Sequence, residues 1–243
     1  MKKTSGTLYL IPSSLGEEQL STVWPEGNTE ILNKLRIFIV ENIRTARRFL
    51  KRAGYTHPID DTTFFVLNKH TSADEHSRFL QPALEGRTIG LLSEAGCPCI
   101  ADPGQTIVHQ SHELGIQVKP LTGPSSIMLA LMASGMNGQQ FQFHGYLPIQ
   151  KGDRDKKIKE LEAESQRYGT TQIFMETPFR NNSLAESLLK QCRAGTRLCV
   201  AADLTMSTEY IQTKSIGQWR KEKMANLHKR PAIFLIHAGI SPG

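Results

Sequence analysis

The chain lacks any apolar run near the roughly 20 residues that cross a bilayer. Apolar runs such as Ile127–Ala133 and Ile233–Ile236 are a fraction of that length. The opening MKKTSGTLYLIPSS has two lysines but too short an apolar stretch for a secretory signal, which needs roughly 7–15 such residues. A cytoplasmic protein with no membrane partner is therefore expected. Cysteine is scarce: Cys97, Cys99, Cys192 and Cys199 in 243 residues do not make a disulfide scaffold. A second Cys pair or a spaced His pair that would complete a zinc site beside Cys97-Pro98-Cys99 is missing. The segment HTSADEH offers His70, Asp74, Glu75 and His76, but at the spacing of an exposed helix start, so no metal is expected. The phosphate-loop pattern Gly-x-x-x-x-Gly-Lys-Ser/Thr and the dinucleotide pattern Gly-x-Gly-x-x-Gly are both absent, which argues against a nucleoside triphosphate or dinucleotide cradle. The net charge of +6 permits an anionic partner such as RNA without demanding one.

What is present alternates. Short runs rich in β-branched or aromatic residues occur at Thr7–Ile11, Arg36–Val40, Thr63–Leu67, Thr88–Leu92 and Ile116–Leu121, the pattern of strands buried on both faces. Between them lie helical patterns: NIRTARRFLKRAG, ending at Gly54; SADEHSRFLQPALEG, capped by Ser72; and Gln105–Leu114, ending at Gly115. Strand and helix in alternation predict an open, mainly parallel α/β sheet. The second half opens on LTGPSSIMLALMASG, read as a buried helix, and continues as strand FQFHGYL, a charged helix from Asp153 to about Tyr168, and strand TQIFME. Helix SLAESLLKQ, strands RLCVAA and EYIQTKS and a last strand AIFLIH complete the order, which predicts a mixed sheet. Two α/β domains, 1–121 and 122–243, are expected, because Thr122-Gly123-Pro124 interrupts both patterns.

The segment Ser93–Gly104, SEAGCPCIADPG, is half Gly, Ala and Pro and comes directly after a strand. In an open α/β sheet that is where ligands sit. Small residues let a ligand approach the backbone, and Pro98 and Pro103 stiffen the loop. Glu94 and Asp102 accept hydrogen bonds from amines or ribose hydroxyls and repel phosphate. A ligand with a positive centre and hydroxyls fits. Packing is the simplest role for the thiols, with redox activity left open.

This loop, with PLTGPSS some twenty residues on, resembles the tetrapyrrole methylase superfamily of S-adenosylmethionine-dependent methyltransferases. Within it, the resemblance is to the bacterial small-subunit ribosomal RNA cytidine 2′-O-ribose methyltransferases. Ser93–Gly104 matches the family's S-D-A-G-x-P-x-x-x-D-P-G with Glu94 for Asp, and Pro120–Pro124 matches P-x-P-G-P with Thr122 for proline. LYLIPSSLG, VENIRTARRFL, FHGYLP, METPFR and AADLTMSTE are similar to further family segments, so the likeness covers nearly the whole chain. It departs at Glu17-Glu18, at Asn42-Ile43, at Phe179, at Ala202 and Met206, which replace an Arg and a Lys, and at Pro231-Ala232, a form closer to porphyrin and corrin members.

The resemblance implies S-adenosylmethionine as cofactor in a cleft between the domains, walled by Pro12, Ser93, Glu94, Ala95, Gly96, Asp102, Ser125, Ser126, Met175, Ala202, Pro231 and Ala232. It also implies a homodimer. Candidate catalytic groups are Glu41, Arg44, Glu176 and Arg180, each with a helix cap or ion pair as its alternative role. Expected partners are ribosomal RNA or the small ribosomal subunit, met by the segment Lys151–Lys157, read as a loop into a basic helix, or by Arg44, Arg47, Arg48, Lys51 and Arg52. A tetrapyrrole or other small metabolite as substrate, and a SAM-binding protein without catalysis, are the two alternatives.

Overall fold

Alternating apolar runs and capped helices build two units, Met1–Ser125 and Ser126–Gly243. The computed structural model describes residues 5–16, 20–68, 71–222 and 224–239, with residues 73 and 74 as backbone only. Glu17, Glu18 and His70, and the side chain of Asp74, lie outside that description.

The first unit carries β1 (Thr7–Ile11), α1 (Glu26–Leu32), β2 (Ile37–Val40), α2 (Ile43–Arg52), β3 (Thr63–Val66), α3 (Ala73–Leu84), β4 (Ile89–Leu92), α4 (Gln105–Glu113) and β5 (Gln117–Pro120). Its five strands are all parallel, in the order β3-β2-β4-β1-β5. Helices cover both faces. On one, Leu32, Ala46, Phe49 and Leu50 of α1 and α2 pack on Ile11, Phe38, Val40 and Leu92. On the other, Phe79, Leu80, Ala83 and Ile107 of α3 and α4 pack on Leu8, Ile37, Ile39, Ile89 and Leu91. Burying each leucine, isoleucine, valine or phenylalanine among these contributes about 1.5–3 kcal/mol. Only the inner strands are buried on both faces, however: β3 and β5 are the sheet's edges and keep exposed residues. The sequence pattern overstated their burial, because apolar content alone does not report strand order.

Helix α2 starts three residues beyond β2, at the carboxyl edge of the sheet, the place where open α/β folds bind ligands. Asn42 caps it, accepting from the backbone N–H groups of Arg44 and Thr45, so this departure from the family's Asp keeps the capping function. Ala46, Phe49 and Leu50 face the core, and Arg44, Arg47, Arg48, Lys51 and Arg52 lie on the outer faces. Gly54, at φ 79°, ends it.

The second unit carries α5 (Ser126–Ser134), β6 (Phe141–Tyr146), α6 (Lys151–Tyr168), β7 (Thr171–Met175), α7 (Asn181–Gln191), β8 (Arg197–Ala202), β9 (Tyr210–Ser215), α8 (Ile216–Trp219) and β10 (Ala232–His237). The sheet order is β6-β7-β10-β8-β9, with β6 and β7 parallel and the remaining pairs antiparallel. Helices α6, α7 and α8 bury Ile158, Leu161, Leu184, Leu188 and Trp219 against one face.

Two expectations are corrected by these elements. Lys151 already lies in α6, so the tract Lys151–Lys157 is helix rather than loop, and Arg154 is buried, donating to the Ser183 and Ser187 hydroxyls at 3.0–3.2 Å. A guanidinium engaged inside the unit is not offered to RNA phosphates. Helix α5 is also less buried than its composition implied: Ile127, Ala130 and Leu131 are inside, but Met132 is 76% exposed. Uniform apolarity hides which face is covered.

Candidate active site

The carboxyl ends of the first unit's inner strands converge. Pro12 and Ser13 come after β1, Glu41 after β2, Ser93 after β4, and Leu121–Pro124 after β5. Backbone hydrogen bonds tie these ends together: Ser13 N–H donates to the Gly96 carbonyl at 2.9 Å, Ser93 N–H to Ile11 at 3.2 Å, and Leu121 N–H to Leu10 at 2.9 Å. The β5 loop crosses Pro12 so closely that a methyl group on Gly123 would fall 2.2 Å from the proline ring, so only glycine fits. Asn28 of α1 donates to the Thr122 carbonyl at 2.8 Å and holds that loop from behind.

The Ser93–Gly104 loop is strained. Cys99 (φ 67°) and Ala101 (φ 59°) adopt left-handed backbone without being glycine, and Gly104 sits at φ 130°. Each non-glycine residue so held costs of order 1–3 kcal/mol, and such strain clusters at functional sites. The thiols serve packing: the Cys97 Sγ lies 3.5 Å from the Pro124 carbonyl, and Cys99 packs against the core under α4. Burial raises both thiol pKa values, which keeps them protonated and poor nucleophiles near neutrality.

Three carboxylates meet here. Asp102 accepts a short hydrogen bond from the Ser93 hydroxyl. Glu94 accepts from the Thr45 hydroxyl of α2 at 2.5 Å. Glu41 is pushed up to about 7, first by burial and then by the charges of Asp102 and Glu94. Asp102 is itself raised, by burial above all and by Glu94, against the lowering effect of its bond from Ser93. Burial and like charge thus outweigh any stabilisation of the ionised form at Glu41 and Asp102, which makes this part of the niche acidic. Among the described residues no group of three His, Cys, Asp or Glu is placed to hold a metal ion. A small-walled, acidic niche with serine hydroxyls fits a ligand that is positive and hydroxylated, as S-adenosylmethionine is.

Beside it opens a cavity of about 410 Å³. Three elements line it: the Ser13–Gly16 turn, one face of α2 with Thr45, Ala46, Arg48, Phe49 and Arg52, and Ser93–Ala95. The sequence offers Arg48 and Arg52 as RNA contacts within a wider basic face of α2, and does not single out Ser13, Ser14 or Thr45. The signal was available in the spacing 45, 48, 49 and 52, which puts those side chains on one helical face. Arg44 is exposed on the first turn of α2 and does not line the cavity.

In the second unit, four implied cofactor residues gather at one end of the sheet. Met175 ends β7 opposite Ile233, Ala202 ends β8 opposite Ala232, and Pro231 accepts from the Asp203 N–H at 2.9 Å. Ser126 opens α5, while Ser125 is the last residue of the first unit. Glu176 and Arg180 form an ion pair at 2.6 Å, with the Glu176 side chain fully buried and also accepting the Thr177 N–H at 2.6 Å. Asp203, at φ 51°, pairs with Arg230 at 2.7 Å and accepts from the Thr208 hydroxyl at 2.9 Å. Glu41 and Arg44 thus belong to the first unit, and Glu176 and Arg180 to the second.

Comparison with known proteins agrees with this geometry. The family model for Tetrapyrrole (Corrin/Porphyrin) Methylases matches residues 30–219. Proteins named ribosomal RNA small subunit methyltransferase I are similar over most of the chain. That of Vibrio cholerae is 29% identical over 95% of this chain and 76% of its own length. That of Pseudomonas aeruginosa is 28% identical over 88% and 72%, and that of Streptococcus pyogenes 30% over 89% and 71%. Among solved structures, the methyltransferase CobJ superposes with a TM-score of 0.62 at 15% identity, covering 96% of this chain and 94% of that one. The precorrin-6Y methylase of Archaeoglobus fulgidus gives 0.55 at 17% identity, covering 96% and 99%. Those two likenesses are of fold alone. With a family match across most of its length, the chain belongs to the tetrapyrrole (corrin/porphyrin) methylases and is an S-adenosylmethionine-dependent methyltransferase.

Proposed function

We propose that this methyltransferase acts on a ribose 2′-hydroxyl of small-subunit ribosomal RNA, in the cytoplasm and as a homodimer. The acceptor class is supported by the relatives, which are named for it at 28–30% identity over about nine-tenths of the chain. The chemistry is supported by one observation above others, that Glu41 titrates at about 7 beside two further carboxylates.

When bound, S-adenosylmethionine supplies a methyl group on a positively charged sulfur that departs as a neutral thioether. In the first unit, Pro12, Ser93–Gly96 and Asp102 would hold it. Asp102, fixed by Ser93, and Glu94, fixed by Thr45, set a negative field that favours a cation. A hydroxyl acceptor must lose its proton as the new bond forms. Glu41, partly ionised at neutral pH, accepts that proton at its carboxylate, a role that contributes roughly 10²–10⁴-fold. Holding the two reactants in line contributes about 7–11 kcal/mol more. The ion pair between the buried Glu176 and the partly exposed Arg180 supports a structural role for both.

A second reading, methylation of a tetrapyrrole or similar metabolite, draws on the burial of Arg154, which removes a cation of one of the two basic tracts from RNA contact. Labelled methyl transfer to undermodified small ribosomal subunits, run beside precursor tetrapyrroles, separates the two. Label on a ribose 2′-oxygen is the expected outcome. Label on the tetrapyrrole, or on neither, would overturn the proposed acceptor.

A further inference from the structure

We infer that Phe179 and His228, with Lys229 beside them, form a stacking platform for an unpaired nucleotide of the RNA substrate. This rests on the ribosomal reading and adds to it a contact in the second unit that grips a single strand.

The platform is made by two loops at one end of the second sheet. Phe179 comes four residues after Met175, the last of β7, and His228 four before Ala232, the first of β10. Those strands pair antiparallel, with Met175 opposite Ile233, so the two loops leave the sheet side by side. Hydrogen bonds rivet them together. The Lys229 N–H donates to the Pro178 carbonyl at 2.9 Å, the Leu227 N–H to the Asn182 side-chain oxygen at 2.9 Å, and the Asn182 amide to the Asn226 side-chain oxygen at 2.7 Å. The buried Asn181 donates to the Arg230 carbonyl at 2.6 Å. A surface fixed in this way loses little loop entropy when a ligand binds.

Phe179 is 68% exposed, more than any other Phe, Tyr or Trp among the described residues. A lone exposed apolar side chain needs no explanation. This one is held: its ring meets His228 edge-to-face, with centroids 5.8 Å apart and planes at 71°. An edge-to-face pair leaves ring faces uncovered, and His228 is itself exposed. The surrounding charge has one sign, because residues 177–182 and 224–231 contain no acid. Arg180 and Arg230 are taken up by Glu176 and Asp203, but Lys229 is exposed and enters no ion pair among the described residues. Lys229 also holds φ 63°, where glycine or asparagine sits at less cost, so the backbone gives no reason for a lysine. An open ring beside an unpaired cation matches a nucleotide, with the base on the ring and the phosphate at the ammonium. A duplex keeps its bases stacked within itself, so the ligand is single-stranded. An apolar protein segment would use the ring and leave the lysine unmatched.

The test titrates the full chain with a short single-stranded oligoribonucleotide and with the same sequence as a duplex, reading fluorescence anisotropy at several salt concentrations. The single strand should bind more tightly. Phe179→Ala should weaken it about tenfold with its salt dependence unchanged, Phe179→Trp should retain the affinity, and Phe179→Leu should not. Lys229→Gln should lower the slope of log affinity on log salt by about 0.7, the share of one phosphate on a single strand. On undermodified small ribosomal subunits Phe179→Ala should raise KM, with kcat and S-adenosylhomocysteine affinity kept within about twofold. No binding of the single strand, no preference for it over the duplex, or affinity that survives in Phe179→Ala or Phe179→Leu would overturn the inference. So would a Phe179→Ala variant that changes oligomeric state and not RNA affinity. Methylation of subunits at an unchanged KM in Phe179→Ala removes this inference and leaves the ribosomal reading. Loss of RNA affinity in Phe179→Ala, without methylation of subunits by the wild type, does the reverse.

Discussion

The two units treat their acids in opposite ways, buried and paired in the second, partly exposed and clustered in the first. In the second, Glu176 is paired with Arg180 and Asp203 with Arg230, so each charge is neutralised where it stands. In the first, burial and the charges of Asp102 and Glu94 push Glu41 up to about 7, and among the described residues the donors to Asp102 and Glu94 are the Ser93 and Thr45 hydroxyls and a backbone group. Paired acids stabilise a turn. Unpaired acids, kept together at some energetic cost, form a site that a cationic ligand completes. On the proposed reading, chemistry belongs to the first unit's carboxylates and architecture to the second's.

That contrast breaks most visibly at Glu41. Glu41→Gln should lower kcat roughly 10²–10⁴-fold with little change in cofactor affinity, and should abolish the rise in kcat/KM through about pH 7. Kinetics on either side of neutrality test both. At Glu176 the effect should fall on folding. Glu176→Ala leaves the partly exposed Arg180 and the Thr177 N–H without their acceptor, and urea denaturation should show a loss of about 1–3 kcal/mol. A smaller response is expected at Asp102. Asp102→Asn should leave the ligand-free fold equally or more stable, because it relieves like-charge repulsion, while weakening S-adenosylmethionine about tenfold, an effect of about 1.4 kcal/mol. The smallest is a pH trend. Glu41 is raised from 4.5 to about 7, so between those values the folded state binds more protons than the unfolded one. Its contribution to stability is present below about pH 4.5 and is lost as pH rises through about 7. Melting curves over that window should show the decline, and Glu41→Gln should flatten it.

Much of this was legible in the amino-acid sequence. Thr7–Ile11, Arg197–Ala202 and Ala232–His237 are strands with the bounds that their apolar runs imply, and the Ser72 and Gly54 signals mark real helix ends. The Gly/Pro-rich loop was legible as a site because its composition has a local cause. Other features were not. Helix α1 begins after Pro25 without a side-chain cap and contains Gly27, so its local signal is weak. Helix α8 is only four residues long, although its Ser215/Gln218 capping box could have been found. The burial of Arg154 depends on Ser183 and Ser187 of α7, some thirty residues away. The shift at Glu41 comes first from burial and then from Asp102 and Glu94, brought beside it by the strand order rather than by proximity in the chain. Tertiary arrangement decides these features, and no short window contains it.

The most direct measurement is proton release on cofactor binding. Titration calorimetry near neutral pH, in buffers of differing ionisation enthalpy, counts protons lost as the ligand binds. A positive sulfur beside Glu41 lowers its pKa from about 7, so S-adenosylmethionine should release up to about half a proton. The neutral thioether S-adenosylhomocysteine should release less, and Glu41→Gln should release none. Heats that do not depend on the buffer, or equal release from Glu41→Gln, would contradict the assignment of the carboxylate niche to the cofactor's charge.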